Sequence, residues 1–170
     1  MKHATILVIV ALLVIVGCDY QVPLTEEHNI SIDPSVLGIW EGVTDGDKPS
    51  NPDERMVILK YADTEYLVHY PTGKDGLYFR AYPIKVEGVS CVQIQQIGTA
   101  DGDIGKEGRK YHVISYTLSN GNLEITMLNT DLVGKNLPDS TGLRQAFLKH
   151  KDSKDLFKNP GKFRRVKGKS

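Results

Sequence analysis

The chain has 170 residues, 21 Lys/Arg against 21 Asp/Glu, 40% apolar residues and two cysteines. One domain of this size buries enough surface to fold without covalent staples, and two cysteines exclude a disulfide-stapled scaffold. The zero net charge hides a split. Residues 19–143 carry 10 Lys/Arg and 19 Asp/Glu, whereas residues 144–170 carry 10 Lys/Arg against Asp152 and Asp155 alone. The basic tail reads as a solvated helix face and a frayed end, with an anionic headgroup layer as the alternative contact.

In chain order, Lys2 and His3 precede an unbroken apolar run of 13 residues from Ala4 to Val16. That is short of the roughly 20 residues a membrane-spanning helix needs. A positive start, an apolar run of this length and a small residue before a cleavage point describe a secretory signal over residues 1–17. The run Ile15-Val16-Gly17-Cys18 resembles the lipobox of bacterial lipoproteins. The resemblance implies that Cys18 is acylated and becomes the new N-terminus, anchored by two or three chains. It also implies the bacterial cell envelope as the location. Asp19 resembles the enterobacterial signal that retains a lipoprotein on the periplasmic face of the inner membrane, with the outer membrane as the alternative. That compartment excludes nucleic acid as a partner. With Cys18 committed to lipid, Cys91 has no partner thiol and is expected to be buried in a strand.

Residues 18–35 are expected to be the lipid anchor and a flexible tether, because Asp19 to Pro34 is polar, lacks clear periodicity and contains Pro23 and Pro34. Residues 36–170 form the expected domain. Short alternating runs follow: 36–43, 55–61, 65–70, 77–86, 89–97, 109–118 and 122–128. Turn residues separate them, the clearest being Asn120-Gly121. Asp139-Ser140 is expected to cap a helix from Thr141 to His150, with Leu143, Phe147 and Leu148 on one face. A second helical turn is expected from Asp152-Ser153 to Phe157, stopped by Asn159-Pro160-Gly161, before a short strand over 162–166. Regular strands with turns about every ten residues predict a mainly β, antiparallel barrel or sandwich.

Gly38-Ile39-Trp40 on the first strand resembles the G-x-W signature that opens lipocalins. The resemblance implies a lipocalin-like meander barrel of about eight strands with a C-terminal helix. It also implies that Trp40 closes the barrel floor under a late arginine, Arg164 or Arg165. The T-D-Y-like second motif and the lipocalin disulfide are both missing from this chain.

Catalytic and metal signatures are absent. Asp101-Gly102-Asp103 echoes a calcium loop, but Lys106 stands where the EF-hand needs Gly and His112 where it needs Glu. The histidines are dispersed; His69 and His112 fall on expected strands and are candidates to line an interior. No nucleophile elbow, phosphate loop or Cys-His pattern is present. No enzyme activity, cofactor or metal is therefore expected. The one binding feature is the density of strand tyrosines. Tyr66 and Tyr70 share a face, as do Tyr78, Arg80 and Tyr82, and these five residues are the expected lining of a partly wet pocket, with Arg80 as an anion partner. The expected function is a membrane-anchored lipoprotein binding a small apolar or amphipathic ligand. The alternative is an assembly lipoprotein that docks another envelope protein. A cavity above about 300 Å³ lined by the tyrosines distinguishes the first.

Overall fold

The computed structural model describes residues 19–44, 48–49 and 51–167; the signal segment and Cys18 lie outside the described residues. Alternation in the runs read above becomes β1 (Gly38–Thr44), β2 (Lys48–Pro49), β3 (Met56–Ala62), β4 (Glu65–Tyr70), β5 (Leu77–Val86), β6 (Val89–Thr99), β7 (Gly102–Asp103), β8 (Tyr111–Ser119) and β9 (Asn122–Leu128). Helices α1 (Thr130–Val133) and α2 (Ser140–His150) and the closing strand β10 (Phe157–Arg165) complete the chain. Eight strands form a closed antiparallel meander in the order β1-β3-β4-β5-β6-β8-β9-β10, with β10 returning to pair β1. The two-residue strands β2 and β7 attach to β1 and β6 outside this circuit. Closure leaves no long unpaired edge.

The hairpins follow their turn chemistry. Asn120 and Gly121 adopt φ of 52° and 78°, the paired left-handed conformation of a two-residue turn matched to strand twist. Asp139 caps α2 through its carboxylate, which accepts from Gly142 N at 2.7 Å. One expected element is different: residues 153–157 do not form a second helical turn. Phe157 instead begins β10, which runs through Pro160 by means of a bulge between Lys158 and Gly161, with Asn159 at φ 57°. A bulge is where a strand tolerates a residue without an N–H.

Two cores share one wall. Inside the barrel, Trp40, Met56, Ile58, Tyr66, Ala81, Val92, Ile114, Leu123 and Phe163 pack together. On the outside of β5, β6 and β8, a second core joins Tyr82, Ile84, Val86, Cys91 and Val113 to Leu143 and Phe147 of α2 and to Tyr20 and Leu24. Leu143 and Phe147 are fully buried, each contributing roughly 1.5–3 kcal/mol. This two-sided packing explains why side chains on both faces of β5 and β6 are buried, Ala81 and Val92 inside and Tyr82, Ile84 and Cys91 outside. Cys91 lies in the outer core, where burial pushes its thiol up to about 12.

One end of the barrel carries the loops 71–76, 100–110 and 129–156; the other carries the tight turns 62–64, 87–88 and 120–121. The tight-turn end is sealed by Trp40, which is fully buried and donates from Nε1 to Val36 O at 2.8 Å. Arg165 lies over its ring at 4.4 Å and donates to the carbonyls of Leu37 and Ser35. Gly38 has φ 133°, and a Cβ there would meet Arg165 Nη1 at 2.8 Å. The glycine of the Gly38-Ile39-Trp40 run is thus favoured first by its backbone conformation, and a side chain there would also displace the guanidinium that crosses the tryptophan.

Candidate functional site

The segment expected to be a flexible tether is instead a strap on the outer wall. Tyr20 and Leu24 are each 1% exposed. The alternation Tyr20-Val22-Leu24 places three apolar side chains against the outer core, a two-residue period too short to register among prolines and charges. Tyr20 exchanges backbone hydrogen bonds with Tyr111 at 2.8 and 2.9 Å, and Asp19 pairs with Lys110 at 2.5 Å. Further along, the fully buried Gln93 side chain takes the place of a neighbouring strand. Its Oε1 accepts from Leu24 N (2.6 Å) and Thr25 N (3.2 Å), and its Nε2 donates to Thr25 O (3.0 Å) and to the Tyr82 hydroxyl (2.5 Å). The strap then crosses β5 and β4, where His28 Nδ1 lies 3.1 Å from Glu65 and its ring 5.1 Å from that of Tyr82. It ends at the sealed end of the barrel, with Ile32 N bonded to Asp63 O and Asp33 N donating to the Tyr66 hydroxyl at 2.7 Å.

The barrel wall divides the five expected pocket residues. Tyr66 and Tyr70 point inward; Tyr66 meets Asp33, whose carboxylate also accepts from the Tyr116 hydroxyl at 3.2 Å. Burial raises the Tyr116 hydroxyl above its ordinary value, so it stays protonated and donates. Tyr78, Arg80 and Tyr82 point outward. Tyr78 stacks on His69 with ring centroids 4.3 Å apart, so His69 lines no interior. Arg80 forks onto Glu65, and Tyr82 lies in the outer core. The five therefore do not form one pocket. Period 2 was sufficient to place each tyrosine set on one face, but pairing Tyr66 with Ala81 and Tyr78 with His69 puts the two sets on opposite faces.

Among the described residues, an interior cavity of about 60 Å³ is lined by apolar side chains such as Met56, Phe79, Ile94 and Phe163, with His112 beside them. It is far below the roughly 300 Å³ of a small-molecule site. The larger space lies outside. A groove of about 860 Å³ runs over the outer wall between the β3–β4 turn and the β6–β7 hairpin. Tyr61, Leu67, Tyr78 and Ile97 line it, with two ion pairs set in it, Glu65–Arg80 and Asp103–Arg109. It continues onto the part of the wall that neither α2 nor the strap covers. There Ile39 and Leu59 are 45% and 50% exposed and Tyr61 is 67% exposed. Leu59 pairs directly with Leu67, and Ile39 with Val57.

Sequence reasoning missed Gln93, Glu65 and His28. The one available signal was Gln93, a polar residue flanked by the apolar Val92 and Ile94. No known protein family, curated protein or solved structure matches this chain.

The carboxylates that hold the strap give it a pH dependence. A hydrogen bond from Arg80 holds Glu65 below its ordinary 4.5. Hydrogen bonds from Lys110 and Ser35 hold Asp19 and Asp33 below 3.8. A carboxylate with a lowered folded value stabilises the fold fully above its ordinary value, and that stabilisation is lost as pH falls through the lowered one. Amide exchange of the strap is therefore expected to be flat from pH 8 to about 5, after correction for intrinsic rates, and to accelerate below about pH 4. Protection that declines already between pH 8 and 6 would assign strap closure to other groups.

Proposed function

We propose that this chain is a lipid-anchored lipoprotein of the bacterial cell envelope with a lipocalin-like barrel, acting without catalysis as a docking module for another envelope protein. The observation that carries the reading is the uncovered apolar wall of Ile39, Leu59 and Tyr61 running into the groove at Leu67. An exposed apolar patch bordered by charge is the signature of an interaction surface. Tyrosine and arginine, the residues enriched at interface centres, are both present there in Tyr61, Tyr78, Arg80 and Arg109. The groove is open, lies on a convex wall and holds two ion pairs, which suits an extended protein segment better than a small ligand needing enclosure on most sides. The reading of an apolar ligand held inside the barrel rests on a cavity of only about 60 Å³.

Two measurements test this. Cells labelled with radioactive palmitate are expected to incorporate label into the wild type and none into Cys18→Ser, because a hydroxyl does not replace the thiol in acyl transfer. Label in the mutant, or none in the wild type, removes the anchor. Titration of residues 19–170 with a fatty-acid series and a hydrophobic fluorophore is expected to show no saturable site. One-to-one binding with a negative heat-capacity change, weakened by Tyr70→Ala, would restore the interior-ligand reading.

A further inference from the structure

We infer that the barrel is seated on the bilayer at its loop end, with the apolar wall of Leu59 and Tyr61 standing off the membrane. This inference rests on the lipoprotein reading above. A flexible linker would leave the domain free to tumble, but the structure leaves none. Asp19, the residue next to the acylated Cys18, is bonded to Lys110, and Tyr20 is buried with both backbone groups paired to Tyr111. One further residue adds at most about 3.6 Å of reach. The acyl chains, joined to Cys18 through its thioether and amine, therefore enter the membrane close to the point where β8 begins.

The direction of the strap fixes the rest. Tyr111 opens β8 at the loop end, whereas Asp33 meets Tyr66 at the sealed end. The strap thus runs the length of the wall away from its anchored start. The loop 100–110 lies nearest the bilayer, so the Asp103–Arg109 end of the groove borders the headgroups and its Tyr61–Leu67 end stands away from them. The turn 120–121 and the Trp40–Arg165 seal face away from it, separated from the loop end by roughly 20 Å of tilted strand. The exposed residues Leu59 and Tyr61 sit toward the sealed end, near the 62–64 turn, which holds the apolar wall clear of the headgroups and open to a protein partner.

The test uses the full lipidated chain in vesicles of phosphatidylethanolamine and phosphatidylglycerol that carry a nitroxide on the headgroup. Single fluorophores are attached at Lys106→Cys, Ser119→Cys and Tyr61→Cys; the buried Cys91 thiol does not compete for label. Quenching at position 106 is expected to exceed that at 119 and 61 at least threefold. Inserting an eight-residue Gly/Ser linker between Cys18 and Asp19 is expected to abolish the difference while leaving strap amide protection unchanged. Equal quenching at all three positions in a chain that incorporates palmitate would overturn the fixed seat and leave the lipoprotein reading standing. Strongest quenching at position 61 would show the barrel lying on its apolar wall, which also overturns it. A chain that incorporates no palmitate removes the lipoprotein reading and this inference with it.

Discussion

Trp40→Ala is expected to lower unfolding free energy by about 3–5 kcal/mol, the range for removing a large, fully buried aromatic side chain. The loss combines several effects. The indole fills the sealed end of the barrel, its N–H satisfies the Val36 carbonyl, and its face carries the Arg165 guanidinium. Arg165→Ala is expected to cost less, because the carbonyls of Leu37 and Ser35 that it bonds are near enough to the surface to recover water. Trp40→Phe should fall between them, keeping the apolar filling and losing the donor. Urea unfolding of the soluble domain measures all three. A Trp40→Ala loss below about 1 kcal/mol would mean that the end of the barrel is not closed by this residue.

Gln93→Leu is expected to cost about 2–4 kcal/mol despite its similar volume and greater hydrophobicity. The wild-type amide satisfies two strap N–H groups, a strap carbonyl and the Tyr82 hydroxyl, all in or beside the outer core. Leucine leaves the Leu24 and Thr25 N–H groups without partners and the Thr25 carbonyl with only the long contact from the Tyr82 hydroxyl, and each unsatisfied buried group costs about 1–3 kcal/mol unless the strap lifts to let water in. The variant should therefore differ in kind from Trp40→Ala. Amide exchange and protease cleavage are expected to increase selectively over residues 20–30 while the β8–β9 hairpin stays protected. Uniform loss of protection, or none, would contradict the role of Gln93 as the strap's clamp.

The barrel was legible because each strand needed only local information: alternation, a turn signal and, at Asn120-Gly121, a left-handed pair. Gly38, Trp40 and a late arginine also matched a known pattern, and the structure joins them physically at one end. The strap was not legible, since its anchors, among them Tyr111, Tyr66 and the Gln93 side chain 68 or 69 residues away, are all remote in sequence. No periodic signal records that kind of contact. The site failed for a related reason. Period 2 assigns residues to faces within a strand but not which face is inside, and that depends on cross-strand register. Tyr66 and Tyr78 were equally plausible as lining; only the pairing of β4 with β5 turns one inward and the other outward. Only Arg144 and Lys149 of the basic tail lie on α2, where Arg144 pairs with Glu87 at the surface; Lys158, Arg164 and Arg165 lie on β10 and meet Asp131, Glu41 and the Trp40 ring.

We propose that the outer wall, not the barrel interior, is the surface that meets a protein partner. Site-specific photo-crosslinking in intact cells tests it most directly, with a photoreactive residue placed in turn at Leu59, Tyr61 and Leu67 on the wall and at Ser119 as a remote exposed control. One discrete adduct with the same envelope protein is expected from the three wall positions, weakened by Arg109→Glu in the groove, and none from position 119. An adduct from position 119 with a silent wall, or no adduct at any position together with saturable fatty-acid binding by the soluble domain, would contradict it.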